Sequence, residues 1–372
     1  MQNKIIIVAG ARPNFMKIAP LWSALVQDPD FSVSVVHTGQ HYDDAMSGQF
    51  IRELELPVPE FNLGVGGGSH AQQTAEIMKR IEPVLVSSKP RTVIVVGDVN
   101  STMAAALTAK KLGIQVVHCE AGLRSFDRSM PEEINRVVTD AISDVLLVTE
   151  ESGRVNLLRE GVLLDRIHVV GNLMIDSLLR YLPKARLSNT IARLGLETQR
   201  FGLITLHRPS NVDDEHQFAG IVDALAKISQ DLTLLWPVHP RTRTTLSNIT
   251  SQMPRSIKLL EPLGYLEFLA LQASSVAVFT DSGGVQEETT ALGVPCLTLR
   301  DNTERPITIE CGTNRLAGTC PESILRTWKE TVENPKTGCM PPFWDGHTSS
   351  RCHSVLRAQV LGKPSPFRSV HA

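Results

Sequence analysis

Short runs of apolar, mostly β-branched residues alternate with longer helical segments in the first half of the chain. The runs lie at 4–9, 32–37, 92–96, 115–118, 145–148 and 167–170. Because they are apolar at successive positions, they predict strands that are buried on both faces of a parallel sheet. Segments of helical length lie between them, as at 15–26 and 101–112. This βαβ alternation predicts a doubly wound α/β domain.

The same alternation starts again in the second half. Strands are predicted at 201–206, 232–238, 257–260, 276–280 and 296–299, with helices at 215–230, 265–272 and 285–292. We therefore expect one domain over residues 1–170, a second over 171–347, and a C-terminal helix and tail over 348–372. Open α/β sheets bind ligands beyond the carboxyl ends of their strands, so we expect the site there, in the cleft between the two domains.

Composition excludes several classes of protein. The 372 residues include 37 Lys and Arg against 39 Asp and Glu, a formal net charge of −2. That balance argues against broad binding to nucleic acid or to an anionic membrane surface. No apolar run reaches the ~20 residues that span a bilayer, and the N-terminus is predicted to be a strand and not a signal peptide. The six cysteines form no Cys-x-x-Cys pair, so we expect free thiols, a cytoplasmic location and no metal.

A basic turn follows the first predicted strand. It reads Gly10-Ala11-Arg12-Pro13-Asn14 and opens a helix that carries Lys17. A dinucleotide-binding fold would place Gly-x-Gly-x-x-Gly here, so we expect no nicotinamide cofactor. Arg12 and Lys17 at a helix N-terminus instead suit an anion such as a phosphate.

Three acidic side chains belong to further motifs of the first domain. Asp98 follows the strand at 92–96, Glu120 follows the strand at 115–118, and Glu132 lies beside Pro131, which suits the first turn of a helix. Glu132 and Arg136 lie one turn apart on the same predicted helix face and can pair. A helix cap or this salt bridge would explain any one of the acids, but three together favour acid–base chemistry.

The second domain repeats this placement of polar residues after strands. His207 and His239 each follow a predicted strand. His207 is a candidate acid or base because its pKa lies near neutrality, and His239 is a candidate for substrate binding. Ser282-Gly283-Gly284 turns into a helix that carries Glu288. The amides of this turn suit a diphosphate, and Glu288 suits the hydroxyl pair of a ribose.

These motifs, in this order, resemble those of the UDP-N-acetylglucosamine 2-epimerase family from Arg12-Pro13 to Glu304-Arg305-Pro306. The resemblance implies two Rossmann-like domains in a GT-B fold, with a C-terminal helix that returns to the first domain. It implies interconversion of UDP-GlcNAc and UDP-ManNAc without metal or nicotinamide. We expect a homodimer that serves cell-envelope polysaccharide synthesis. The residues that match the family's catalytic and substrate-binding positions are Asp98, Glu120, Glu132, His207, Arg12, Lys17, Ser282, Gly283, Gly284 and Glu288.

Two motifs depart from the family pattern. Asn14 ends a turn in which Glu is common, and Pro209 follows Arg208 where a second Arg is common. Gln40, His41 and Arg208 resemble part of a site at which some members bind a second UDP-GlcNAc as an activator. The triple-glycine loop at 66–68 is unlike those members, so the activator site stays an open expectation.

Four alternatives remain open from the sequence. A hydrolysing relative would release ManNAc and UDP with nearly the same residues. A 2-epimerase of a related UDP-2,3-diacetamido sugar would also share the motifs. A GT-B glycosyltransferase would need fewer acids than Asp98, Glu120 and Glu132 supply, and a nucleotide-sugar-binding regulator would show no turnover.

Overall fold

The protein is described here by a computed structural model that covers residues 2–39, 51–238, 242–243, 245–246 and 253–362. It divides into two compact units. Unit 1 comprises Met1–Ser177 and Pro342–Ala372, and unit 2 comprises Leu178–Pro341. Among the described residues, no helix is both long enough and apolar enough to cross a bilayer.

Unit 1 is built on a parallel sheet. Its strands are β1 (Asn3–Ala9), β2 (Phe31–His37), β3 (Phe61–Asn62), β4 (Thr92–Val96), β5 (Gln115–Ala121), β6 (Val145–Val148) and β7 (Ile167–Val169). Within the described residues they form one seven-stranded sheet in the order β3-β2-β1-β4-β5-β6-β7. The helices between them are α1 (Arg12–Val26), α2 (His70–Ser88), α3 (Asn100–Lys111), α4 (Pro131–Ile142), α5 (Glu151–Arg159) and α6 (Leu173–Arg186).

Unit 2 repeats this plan. Its strands are β8 (Phe201–Thr205), β9 (Thr233–Pro237), β10 (Ile257–Leu260), β11 (Ala277–Thr280), β12 (Cys296–Thr298) and β13 (Asn314–Leu316). In the part of unit 2 that the structure describes, they form one parallel sheet in the order β10-β9-β8-β11-β12-β13. Its helices include α7 (Thr190–Arg193), α8 (Pro209–Val212), α9 (Glu215–Ile228), α10 (Tyr265–Ser274), α11 (Gly283–Leu292), α12 (Ile307–Glu310) and α13 (Pro321–Glu333).

The predicted fold class is confirmed. Both sheets follow the 3-2-1-4-5-6 order of doubly wound nucleotide-binding folds, and the first sheet has one more strand at its far edge. Every predicted strand is present. The two short edge strands, β3 and β13, were not predicted because two or three residues are too few to show a hydrophobic period.

Burial on both faces explains why the apolar runs are continuous. Ile5, Ile6 and Ile7 of β1 are all fully buried, although successive side chains of a strand point to opposite faces. In unit 2, Trp236 of β9 packs in one apolar cluster with Phe218 of α9. With both faces covered by helices, the inner positions of these strands are mostly apolar and most polar side chains lie near the strand ends.

The last helix, α14 (Thr348–Leu361), belongs to unit 1, as predicted. It packs against α1, and the buried carboxylate of Asp28 accepts hydrogen bonds from His353 Nε2, at 2.7 Å, and from Arg357. Just before this helix, the indole of Trp344 is fully buried and donates to the Thr149 carbonyl at 3.3 Å.

The boundary between the units lies after Ser177, inside α6, and not at the expected 170/171. The first turn of α6 is tied to the start of α14. The Asp176 carboxylate accepts hydrogen bonds from the backbone amides of Thr348, at 3.0 Å, and Ser349, at 2.7 Å. These bonds keep that turn with unit 1.

Candidate active site

In unit 1, Lys17 and Asp98 follow β1 and β4, and Glu120 is the last residue but one of β5, which runs further than the predicted strand at 115–118. Glu132 lies on α4. The three strands are neighbours in the sheet, so their carboxyl ends lie side by side.

Asn14, which is 3% exposed, ties two of the loops together. Its Oδ1 accepts hydrogen bonds from the amides of Gly10 and Ala11, at 3.0 and 2.9 Å, and its Nδ2 donates to the Val96 carbonyl at 3.1 Å. The departure from Glu at this position therefore supplies an amide donor to the end of β4.

Lys17 and Glu120 are brought together as an almost fully buried ion pair. Glu120 has a backbone φ of +72°, and the pairing of β5 with β6 shifts register between Cys119 and Ala121. A positive φ is unfavourable for a residue with a side chain, and such strain concentrates at functional sites. Gly97 packs against this pair: a Cβ there would lie 3.7 Å from both Lys17 Nζ and Glu120 Oε2.

Two side chains of α4 bond to Asp98. Its Oδ2 accepts a hydrogen bond from Arg136 Nε at 3.0 Å and lies 3.0 Å from Arg136 Nη2 in the same ion pair, and its main-chain carbonyl accepts from Asn135 Nδ2 at 2.9 Å. The residue that caps α3 is Val99, so Asp98 is not a helix cap. Its side chain is 28% exposed, which leaves part of the carboxylate accessible to a ligand.

The pair between Glu132 and Arg136 that helical spacing allows does not form. Arg136 instead pairs with Glu133, which is 2% exposed and also accepts the amides of Ser125 and Phe126 at 3.0 Å. Glu133 and Arg136 are three residues apart on the buried face of α4, and helical spacing alone did not show which face turns inward. The Glu132 side chain makes no hydrogen bond or ion pair with the part of the chain that the structure describes. Pro131 begins the helix, as predicted.

In unit 2, His207 is oriented by a residue that the sequence analysis did not single out. Asp281, fully buried at the end of β11, lies 3.1 Å from His207 Nδ1 and accepts the backbone amides of His207 and Arg208. Burial favours a higher pKa for Asp281, but the hydrogen bonds from His207 and from these amides outweigh it and lower the pKa. The His207 side chain is 53% exposed, so its imidazole is anchored on one side and accessible on the other.

The turn at Ser282 opens α11, as predicted, with its helix N-terminus following β11. A Cβ at Gly283 would lie 2.4 Å from Arg305 Nη1, so this position has room only for glycine. Arg305 in turn donates to Glu287 at 2.7 Å and pairs with Glu304. The amides and the positive dipole end of the helix N-terminus make this end of α11 favourable for an anion.

Glu288 lies one turn further along α11 and is 3% exposed. Its Oε1 accepts a hydrogen bond from the Tyr265 hydroxyl at 3.1 Å. Burial raises the pKa of Glu288 to about 7, with a contribution from the neighbouring Glu287, although the Tyr265 hydrogen bond opposes the shift. Burial of a carboxylate disfavours its charged form, and a pKa raised in this way is typical of a functional position.

Several predicted residues lie outside what the structure describes. Gln40, His41 and His239 are outside the described residues, and Arg12 begins α1 but its side chain is not described. Arg208 is the remaining candidate for an activator site, and its Nη2 lies 3.4 Å from Glu304 Oε1. In the described ranges, no three His, Cys, Asp or Glu side chains are grouped as metal ligands would be.

Known proteins are similar to this chain along nearly its whole length. A sequence profile of the family described as UDP-N-acetylglucosamine 2-epimerase matches residues 23–357. The chain is 42% identical over 370 residues to the UDP-N-acetylglucosamine 2-epimerase of Methanocaldococcus jannaschii, covering 97% of this chain and 100% of that protein. It is 39% identical over 357 residues to the UDP-2,3-diacetamido-2,3-dideoxy-D-glucuronate 2-epimerase of Pseudomonas aeruginosa, covering 95% and 99%.

A solved structure agrees equally well. The crystal structure of the M. jannaschii enzyme in complex with UDP-GlcNAc and UDP has a TM-score of 0.90 to this chain at 42% identity. The match covers 96% of this chain and 100% of that one.

The raised pKa of Glu288 generates a stability prediction. A carboxyl whose pKa is higher in the folded state than its ordinary 4.5 stabilises the fold below pH 4.5, and that stability is lost as pH rises through about 7. We therefore expect Glu288→Gln, which removes the ionisable group, to raise the free energy of unfolding by about 2–3 kcal/mol near pH 8 and to add nothing near pH 4.

Chemical denaturation at the two pH values measures the effect. Glu333→Gln is the matched control, since Glu333 is an exposed residue of unit 2 that pairs with Lys329 and should change the free energy of unfolding by less than ~1 kcal/mol at either pH. A Glu288→Gln variant that is less stable than the wild type near pH 8 would contradict the argument.

Proposed function

Because the chain belongs to the UDP-N-acetylglucosamine 2-epimerase family, we propose that it interconverts UDP-GlcNAc and UDP-ManNAc without net hydrolysis. The reaction eliminates UDP and adds it back with inversion at sugar carbon 2. The observation that carries the proposal is the ion pair between Lys17, in the first turns of α1, and Glu120, near the carboxyl end of β5, with Asp98 after the neighbouring strand β4. The chain is an enzyme of this family, and in the proposal these residues provide the acid–base groups that its reaction needs.

The chemistry explains why carboxylates are needed. The proton at carbon 2 is not acidic because no carbonyl adjoins that carbon. Breaking the anomeric C–O bond gives carbon 1 oxocarbenium character, which acidifies the neighbouring proton. A base then removes that proton to form 2-acetamidoglucal beside UDP. Delivery of a proton to the opposite face, with re-addition of UDP at carbon 1, gives the epimer.

Residues of unit 1 act on the sugar in this proposal. Asp98, Glu120 and Glu132 are the candidates for taking and delivering the proton at carbon 2. Lys17 orients the Glu120 carboxylate, and Arg136 orients that of Asp98. Glu132 lies at the start of α4 without a partner in the described chain, which suits a group that engages the substrate directly.

Residues of unit 2 bind the UDP in this proposal. The amides at Ser282, Gly283 and Gly284 and the positive end of α11 stabilise the diphosphate as it departs. His207, oriented by Asp281, is placed to donate a hydrogen bond or proton to it. Glu288 accepts hydrogen bonds from the ribose hydroxyls, which would explain why a carboxylate is kept where burial raises its pKa. Arg12 and His239 add further contacts to the substrate.

A second substrate has specific support. The relative from P. aeruginosa, at 39% identity, is named for a UDP-2,3-diacetamido sugar acid, so a related UDP-2,3-diacetamido sugar is the second candidate for the same chemistry. The hydrolysing outcome uses the same residues and is separated by its products. A glycosyltransferase has less support because it does not need acids at carbon 2.

The setting of the enzyme is also proposed. Its six cysteines are free thiols, which suits a reducing cytoplasm. The resemblance supports a homodimer that supplies nucleotide sugar for cell-envelope polysaccharide. Activation by a second UDP-GlcNAc at Gln40, His41 and Arg208 stays a prediction.

Product analysis tests the proposal. Incubation of the enzyme with UDP-GlcNAc, followed by ³¹P and ¹H NMR, should give a stable mixture of two UDP-sugars with little free UDP. Accumulation of UDP and free ManNAc would show the hydrolysing reaction instead. An unchanged substrate, with turnover only of a UDP-2,3-diacetamido sugar, would favour the second candidate.

The three carboxylates give a mutational prediction. Asp98→Asn, Glu120→Gln and Glu132→Gln should each lower kcat by ~10²–10⁴-fold, the usual contribution of a positioned acid or base. UDP affinity, measured by calorimetry, should stay near that of the wild type because unit 2 supplies the proposed contacts to UDP. Glu76→Gln is the matched control, an acid on α2 that pairs with Lys79 and Arg80. Turnover near wild type in all three variants would return these acids to a structural role.

A further inference from the structure

Behind the catalytic carboxylates lies a buried ion pair that the proposed reaction does not use. His118 is on β5, two residues before Glu120, and Asp140 is on α4; both side chains are completely buried. His118 Nδ1 lies 2.6 Å from Asp140 Oδ1, and His118 Nε2 lies 2.8 Å from the carbonyl of Gly97. Both ring nitrogens therefore have a hydrogen-bond partner.

The partners fix the charge of the ring. The Gly97 carbonyl can only accept, so His118 Nε2 carries a proton. Asp140 also faces the Gly122 amide and the Arg124 guanidinium, which favour an ionised carboxylate. His118 Nδ1 therefore donates as well, and the ring is assigned as an imidazolium. Burial favours a higher pKa for Asp140, but the charge and hydrogen bond of His118, together with Arg124, outweigh it and lower the pKa. The pair is thus charged although it is buried.

The second oxygen of Asp140 extends the contacts to another loop. Asp140 Oδ2 accepts the amide of Gly122 at 3.0 Å and Arg124 Nη1 at 2.8 Å. Arg124, with 1% of its side chain exposed, makes a bidentate contact with Glu160. The Asp140 carboxylate is therefore fully paired, as a buried charge requires.

The ion pair of His118 and Asp140 thus makes hydrogen bonds to the main chain of two loops, the one that leads to Asp98 and the one that follows Glu120. Gly97 directly precedes Asp98, and Gly122 follows Glu120 by two residues. Both glycines have a positive φ, of +71° and +81°, and neither has a side chain that packing could fix. Their orientation rests on main-chain hydrogen bonds, and the ion pair supplies one to each.

We propose that His118 and Asp140 are positioning residues for the epimerase reaction: their ion pair, with His118 as imidazolium, holds the loops that carry Asp98 and Glu120 in their relative placement. The inference rests on the function proposed above and adds two residues to it. If the Gly97 carbonyl lost its donor, the peptide between Gly97 and Asp98 could rotate and displace the Asp98 carboxylate. A displacement of ~1 Å can cost on the order of 10²-fold in rate.

A double substitution separates this role from stability. Each single change, His118→Gln or Asp140→Asn, leaves a buried charge without its partner and so threatens folding. The double variant His118→Gln/Asp140→Asn removes both charges together and places two neutral amides of similar size in the interior. We expect it to fold, to bind UDP with wild-type affinity and to keep KM within about threefold, with kcat lower on the order of 10²-fold.

The matched control is Asp144→Asn. Asp144 also joins a cation, Lys110, at 2.7 Å and accepts an amide of β5, that of Val116, at 2.8 Å. It lies at the opposite end of that strand from Glu120, so kcat should stay within about twofold of the wild type. A folded double variant with wild-type kcat would overturn the proposal, because a purely structural pair predicts that result.

A spectroscopic measurement keeps the proposal testable if the double variant does not fold. In ¹H–¹⁵N spectra of the wild-type protein labelled at histidine, His118 should show protons on both ring nitrogens at neutral pH, with the ring assigned by nuclear Overhauser contacts to Gly97, which lies beside Nε2. A proton on only one nitrogen would overturn the charge assignment. Failure of the wild type to epimerise UDP-GlcNAc would refute the proposed function instead, and the two failures are distinguishable because the spectrum needs no turnover.

Discussion

Burial of the parallel strands on both faces is the constraint on which the rest of the structure depends. A sheet that is covered by helices on each side leaves only the strand ends for polar chemistry. In unit 1 the three strands β1, β4 and β5 are adjacent, so the loops that follow them share one edge of the sheet. Lys17 and Glu120 are far apart in sequence and meet because of that adjacency, and Asp98 follows β4, the strand between β1 and β5. Unit 2 repeats the principle with His207 after β8 and Asp281 after β11, which pair in the sheet.

The buried charged groups of the candidate site are stabilised by ion pairs and hydrogen bonds within the protein and not by water. Lys17 pairs with Glu120, Arg136 joins Glu133 to Asp98, and Asp281 receives two amides beside His207. Such groups are costly to bury unless each is satisfied. Glu288 is the exception, since its hydrogen-bond partner is the neutral hydroxyl of Tyr265 and burial raises its pKa to about 7. The arrangement fixes acids and bases in place before a substrate arrives, which is the condition for efficient proton transfer.

The sequence predicted what local patterns determine. The strands, the two doubly wound units and the return of the last helix follow from apolar runs and a family resemblance. The orientation of α4 did not, because helical spacing offered both Glu132 and Glu133 to Arg136 and tertiary packing chose Glu133. Side-chain contacts between residues far apart in sequence could not be predicted either. Arg136 is 38 residues from Asp98, and Asp281 is 74 residues from His207. The signal for Asp281 was present, since it ends its strand next to Ser282, but no local rule links it to a histidine in another loop.

Transfer of solvent hydrogen to sugar carbon 2 is the measurement that tests the central claim most directly. The carboxylates are proposed to remove the proton at carbon 2 and to deliver one to the opposite face, so a base that exchanges with solvent must introduce the solvent isotope. Turnover of UDP-GlcNAc in D₂O should therefore give UDP-ManNAc with one deuterium at carbon 2, seen by ¹H NMR and by mass. An epimerised product that carries only protium at carbon 2 would contradict the elimination mechanism and the roles given to Asp98, Glu120 and Glu132.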